Sequence, residues 1–266
     1  MSAPGRVWAI ALNTYREAIR QKTLYVVAGF AAGIKLLAVA LGEMSLHQEV
    51  RVVKDVSLGA LSIFGVAVAA FVGGALLYKE IDKKTIFTVL AKPVHRHEFL
   101  LGKYVGLGLT LTTLFAALVA LLTLALSLRG VTLDVILVKQ ILLSYSEVLV
   151  VAAIATFFSS WASPFAASLF TVALFVVGRL VPDIVQVASK VDNPVAQAAL
   201  KAVARIAPDL ALYAISGGTV EGGKEVSIHS TFVGWDYVAT AAGYGLLWSA
   251  AALLLGILIF RRRDFV

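Results

Sequence analysis

Residues 57–103 read SLGALSIFGVAVAAFVGGALLYKEIDKKTIFTVLAKPVHRHEFLLGK. The change of character inside this stretch decides the fold. From 57 to 78 there is no charged residue. A helix rises 1.5 Å per residue, so about 20 apolar residues cross roughly 30 Å of hydrocarbon. The first part therefore reads as a membrane span. From 79 to 103 the chain turns basic without losing its apolar residues. Ile81, Thr85, Thr88 and Val89 fall on one helical side. Lys92-Pro93 ends that helix, because the residue before a proline is pushed out of helical backbone. A second short helix, 95–99, leads into the next apolar run. A charged, structured, partly apolar loop between two spans reads as a docking surface for a soluble partner. The plainer alternative is a solvated turn that only follows the charge bias of membrane proteins.

Outward from this stretch the pattern repeats. Further apolar runs cover 24–46, 104–128, 141–158, 165–181 and 237–260, which makes six spans with 57–78. Only 159–164 separates the fourth from the fifth. Pro164 suits a tight turn or a first helical turn, and the combined run is too long for one span even when tilted. The whole chain agrees: 60% of its 266 residues are hydrophobic, 15% are charged, and mean hydropathy is +0.90. Soluble proteins are roughly 45–50% apolar and about 25% charged. The expected fold class is all-α integral membrane, one transmembrane domain over 1–266. The first apolar run is too long for a signal-peptide core of about 7–15 residues and no small-residue cleavage site follows, so it reads as a retained span.

The net charge of +7 points to topology rather than to nucleic acid. Arg6, Arg16, Arg20 and Lys22, then Lys79, Lys83, Lys84, Lys92, Arg96 and Lys103, then Arg261, Arg262 and Arg263 crowd one set of flanks. The opposite flanks carry fewer, and most of those lie in or beside one long segment, which counts weakly. Both termini are expected in the cytoplasm, and six spans satisfy that. Residues 7–22 precede the first span. Trp8, Leu12, Tyr15 and Ile19 form one stripe, with Asn13, Arg16, Glu17 and Arg20 on the other side. Such a helix is expected to lie in the cytoplasmic membrane interface. The outward segment 182–236 repeats Ile184, Val187, Ala188, Val191, Val195, Ala199 and Val203 at helical spacing. Asn193-Pro194 interrupts them, and Gly217-Gly218 and Gly222-Gly223 follow. Two short amphipathic helices and then an irregular stretch are expected.

Catalytic motifs are missing. With no cysteine, thiolate metal sites and cysteine nucleophiles are excluded. There is no GxxxxGK[ST], HExxH or GxSxG sequence, so the chain is not expected to bind ATP. His95 and His97 lie about 200° apart on a helix and cannot share a metal there. Gly29-x-x-x-Gly33 and Gly102-x-x-x-Gly106 have the spacing that lets helix backbones approach, most simply for internal packing. Lys35 and Glu147 fall near the middle of the first and fourth spans. A charge at that depth costs on the order of 3 kcal/mol. They are expected to face protein or water, as a buried pair or as the lining of a substrate path.

The order of elements resembles the membrane permease subunit of the type-two ABC exporter family. Closest is the group that includes the permease of the nitrous-oxide-reductase maturation system. The likeness runs over nearly the whole chain. The segment from Ile10, IALNTYREAIRQKTLY, is similar to the family's interfacial helix. Glu80, Lys84, Thr85, Leu90, Lys92-Pro93, Arg96, Glu98, Phe99 and Gly102-Lys103 are similar to its cytoplasmic coupling region. Ala207-Pro208-Asp209 resembles the step after the outward helices, and FRRRDFV from Phe260 the basic ending. One departure is Lys83-Lys84, where many relatives carry a glycine before the threonine.

The resemblance implies a transporter without catalytic, cofactor or metal residues of its own, with ATP and magnesium on a separate cytoplasmic ATPase. Glu80, Lys83, Lys84, Thr85, Leu90, Lys92, Pro93, Arg96 and Glu98 would couple to that ATPase. A second permease chain, identical or paralogous, would complete the unit in a prokaryotic inner membrane, with an extracytoplasmic accessory protein as a further partner. The competing readings are a secondary transporter driven by an ion gradient and a non-transporting anchor or assembly factor. The first would want inverted repeats and more midplane acids than Glu147 supplies. The second would tolerate cross-links across a substrate path.

Overall fold

The computed structural model describes residues 2–22, 25, 28–29, 31–34, 36, 49–78, 95–128, 135–191, 193–214, 219–221, 224–226 and 234–262. Eight helices are used below: α1 (Ala3–Ile19), α2 (Glu49–Gly74), α3 (Arg96–Ser127), α4 (Val135–Ser159), α5 (Pro164–Arg179), α6 (Val181–Lys190), α7 (Pro194–Ile206) and α8 (Trp235–Arg262). Four of them, α2, α3, α4 and α8, are long and apolar enough to cross a membrane. The pair α5 and α6 makes a fifth candidate, bent by 59°. The first expected span, 24–46, lies mostly outside the described residues, as do 79–94.

Helix α4 is the axis of the bundle. It packs on α2, α3, α5 and α8, and Val148, Val150, Val151, Ala152, Ala153, Ile154 and Ala155 are all buried. A helix that is apolar all round belongs in that position. A turn separates α4 from α5. Ser163 caps α5 by accepting from the Ala166 N–H at 3.4 Å, and Pro164 sits in its first turn, where a missing N–H does no harm.

Helix α3 departs from the expected pattern. The short helix at 95–99 is not separate; it is the first turn of a 32-residue helix. At 1.5 Å per residue that is about 48 Å, well beyond the hydrocarbon thickness. Its start is fixed by a capping box, in which the Glu98 carboxylate accepts from the His95 N–H at 3.1 Å.

The bend between α5 and α6 follows from Pro182. Proline has no N–H for the carbonyl four residues back, here Gly178. That carbonyl accepts instead from the Leu210 N–H at 3.0 Å. The step at 207–214 is thereby drawn onto the end of α5. A Cβ on Gly178 would stand 2.7 Å from the Pro208 carbonyl oxygen, so only glycine permits the approach. Tyrosines complete the attachment to α8. Tyr213 donates to Ala241 O at 3.0 Å, Tyr237 donates to Leu212 O at 2.7 Å, and the Asp209 N–H donates to the Tyr244 hydroxyl at 2.8 Å. Burial pushes the Asp209 carboxyl up, opposed by hydrogen bonds from the Ala211 and Leu212 N–H groups.

The segment between α5 and α8 holds α6 and α7, packed on each other. Asn193-Pro194 is the cap of α7, with Asn193 Oδ1 accepting from Val195 N–H at 2.9 Å. The stretch beyond is not wholly irregular. Thr219–Glu221 and Lys224–Val226 pair antiparallel, with Glu221 opposite Lys224.

Candidate functional site

Two charged centres stand out. The first gathers three chain segments at one end of the bundle. Helix α1 runs along the first turns of α3 in parallel. Arg6 Nε donates to Glu98 Oε2 at 2.9 Å and its terminal nitrogen to Oε1 at 2.6 Å, a fork-on-fork pair. One turn further, Gly102 meets Ile10, and the next turn brings Gly106 against Thr14. A Cβ on Gly106 would be 2.5 Å from Thr14 Cβ and 2.6 Å from Ala11 O. Gly102-x-x-x-Gly106 is thus the seat of α1. Lys103, fully buried, lies 4.0 Å from Glu17 and over the Phe99 ring. Arg96 donates to the carbonyls of Phe260 at 3.1 Å and Arg261 at 2.9 Å, in the last turn of α8. Carbonyls there have no partner within the helix. Phe99 stacks on Phe260 beside them.

Helix α1 therefore has three sides. Ala11, Thr14 and Ala18 are buried on α3. Trp8, Leu12, Tyr15 and Ile19 flank that contact, with Trp8 52% exposed, and Tyr15 reaches Thr113 at 3.1 Å. Arg16 and Arg20 are exposed on the third side. The small-residue stripe was missed because alanine and threonine carry little hydrophobic weight. Their spacing, matched to that of Gly102 and Gly106, was the available signal.

The remaining expected coupling residues, Glu80, Lys83, Lys84, Thr85, Leu90, Lys92 and Pro93, lie outside the described residues. Among those described, Arg96 and Glu98 are engaged by their own chain. His95 and His97 stack, 5.3 Å between ring centroids. Among the described residues no three His, Asp or Glu side chains are grouped to hold a metal ion.

The second centre lies deep in the bundle. Glu147 on α4 has a side chain 0% exposed, and its partner is Arg179, at the end of α5 and 27% exposed. Lys35, the partner expected from position, lies outside the described residues. Arg179 is the last residue of α5. The break at Pro182 ends its helix there, and a long side chain can reach back from such an end. One terminal nitrogen of Arg179 donates to Glu147 Oε2 at 2.8 Å and to Ser62 Oγ at 2.9 Å; Ser62 donates in turn to Glu147 Oε2 at 2.8 Å. Nε lies 2.7 Å from Oε1, but neither atom has a hydrogen bond of acceptable angle. Three helices, α2, α4 and α5, are joined at this point. Arg179 and Ser62 also line a cavity of about 280 Å³ with Gln140, Ser144, Ile63 and Phe175.

A family model described as ABC-2 family transporter protein matches residues 8–265. Among curated proteins no match is found.

Proposed function

The chain belongs to the ABC-2 family of transporter membrane proteins and is a non-catalytic, multi-pass membrane subunit of an ABC transporter; from that premise we propose that it is an exporter permease driven by a separate cytoplasmic ATPase through residues 79–103. Family membership implies the ATPase partner. Two permease chains and two ATPase chains form the unit, with ATP and magnesium on the ATPase. Glu80, Lys83, Lys84, Thr85, Leu90, Lys92 and Pro93 make the docked surface. Arg96 and Glu98 act one step inward, tying the end of that surface to α8 and α1. Six spans, with the first at 24–46, place both termini in the cytoplasm of a prokaryotic inner membrane. The 182–236 segment then faces outward, where an accessory protein would meet it. Within the family, the order of elements and the Lys92-Pro93 to Lys103 sequence favour the nitrous-oxide-reductase maturation group.

The observation that carries this reading is the charged centre at the bundle end. Three elements that carry basic clusters, α1, the start of α3 and the end of α8, meet there through Arg6–Glu98 and the Arg96 hydrogen bonds. Basic clusters favour the cytoplasmic face. A push on 79–94 would reach all three elements as one packed body, and packed bodies shift between discrete arrangements. The test is capture of the ATPase from solubilised membranes. The double variant Lys84→Glu, Lys92→Glu should insert normally and lose the ATPase. It spares Arg96, whose replacement would also disturb α8. Undiminished capture by that variant would exclude the docking role.

A further inference from the structure

The cavity beside Arg179 has features that packing alone does not require. It lies about 18–22 Å along α2, α4 and α5 from the end where Arg6 and Glu98 sit, counting Ser62 to Gly74, Glu147 to Ser159 and Pro164 to Arg179 at 1.5 Å per residue. Its wall is mixed: Ser62, Gln140, Ser144 and Arg179 among apolar Ile63 and Phe175. Polar side chains at such depth face protein or a polar cavity.

The arginine is unevenly used. Glu147 is fully buried and does not line the cavity, whereas Arg179 does. One terminal nitrogen holds Glu147 and Ser62, Nε faces Glu147 Oε1 at 2.7 Å off the hydrogen-bond angle, and the second terminal nitrogen has no hydrogen-bond partner among the described residues. Guanidinium carries five N–H donors in a planar fork suited to carboxylate or phosphate. Phe175 lies against the guanidinium at 5.6 Å, holding its plane. What remains on the cavity side is a cationic donor edge flanked by hydroxyl and amide groups.

We propose that this cavity is a binding site for an oxyanion, held by the guanidinium of Arg179 with Ser144 as a further donor, and that the oxyanion competes with Glu147 for Arg179 and for the Ser62 hydroxyl. The volume suits a head group rather than a whole amphiphile, since pockets that enclose drug-sized ligands measure about 300–1,000 Å³. Exposed Ile63 and Val176 leave an apolar exit for a tail. The chemistry is shared by a free oxyanion and by an anionic amphiphile. Competition for Arg179 would loosen the joint of α5 with α2 and α4, linking occupancy to the bend at Pro182. The inference rests on the export reading only for the ligand being cargo; binding itself needs no ATPase.

Native mass spectrometry of the purified full chain in neutral detergent tests it, with dodecyl phosphate, inorganic phosphate and dodecyl glucoside as probes. Dodecyl phosphate should bind saturably, and the glucoside at least tenfold more weakly. Glu147→Gln should raise phosphate affinity several-fold, because it releases Arg179. Glu147→Gln with Arg179→Gln leaves no buried charge unpaired and should lower it at least tenfold. A purely structural pair would not yield the gain in the single variant. Inorganic phosphate displacing dodecyl phosphate would identify a free oxyanion as sufficient; binding of dodecyl phosphate alone would identify an amphiphile. Equal binding of phosphate and glucoside, or unchanged binding by the double variant, overturns the proposal. Either failure leaves the ATPase-capture test of the export reading intact.

Discussion

The two arginine–carboxylate pairs look alike in burial and differ in construction. Glu98 is 3% exposed against an Arg6 that is 23% exposed; Glu147 is 0% exposed against an Arg179 that is 27% exposed. Glu98, however, sits in the first turn of α3, where the helix dipole favours a negative charge. It also accepts from its own cap, and both its oxygens receive well-angled bonds from Arg6. Glu147 sits mid-helix with no such help. It relies on one arginine nitrogen and one serine, with its second oxygen in an off-angle contact. A fully satisfied pair fastens helices together. An imperfect pair at a cavity edge can be exchanged for another partner, which is what a moving joint needs.

The comparison can be broken most readily at Glu147. Glu147→Ala leaves a guanidinium unpaired in a low-dielectric core, and removing one member of a buried pair costs about 3–5 kcal/mol. Partial access to the cavity places the expected loss near the lower figure, about 3 kcal/mol, measured as unfolding free energy in mixed micelles. The double variant Glu147→Gln, Arg179→Gln should recover most of it. Wild-type stability in Glu147→Ala would erase the distinction between the two centres.

The next effect in size concerns the seat of α1. Gly106→Val puts a branched side chain against Thr14 and the Ala11 carbonyl. Overpacking of this kind costs about 1–3 kcal/mol, and here it should be relieved by detachment of α1. Tryptic cleavage at Arg16 and Arg20 should accelerate while the remaining bundle stays resistant. Uniform loss of resistance would mean that α1 is not a separable element.

The smallest effect is expected for Arg6→Ala. Glu98 keeps its cap bond from the His95 N–H and the favourable helix dipole when Arg6 is gone, and the partly exposed Arg6 is screened by ions. The same tryptic assay should show modest acceleration that shrinks as salt is raised. A salt-independent effect would point to lost packing rather than lost charge.

How much of this was legible in sequence differs between the centres for a physical reason. Apolar runs and breaks are local signals, so α2, α3, α4 and α8 announce themselves, as does the turn around Pro164. Helix α3 was expected to begin near 104 because Arg96, Glu98 and Lys103 look like loop charges. Only their partners, Arg6, Glu17 and the α8 carbonyls, show that a helix can carry them. The pairing of 219–221 with 224–226 had a cue in Gly222-Gly223 between two short polar-apolar segments. Pairing across the bundle is not local. Glu147 could be flagged as costly from position alone, yet nothing in sequence chose Arg179 over Lys35. That choice depends on Pro182 ending α5, on the freed Gly178 carbonyl and on the reach of an arginine.

The central claim is that the Arg6–Glu98 end moves as one body while the Glu147–Arg179 joint opens. The chain has no native cysteine, so spin labels can be placed freely. Pairs at Arg16 and Leu258, and at Leu142 and Val187, report the two regions by pulsed electron paramagnetic resonance. The sample is the complex purified with its ATPase, diluted with unlabelled permease. Between nucleotide-free and ATP-trapped states, the first distance should stay constant and the second should lengthen by several ångströms. A shift in the first distance with the second unchanged would contradict the account.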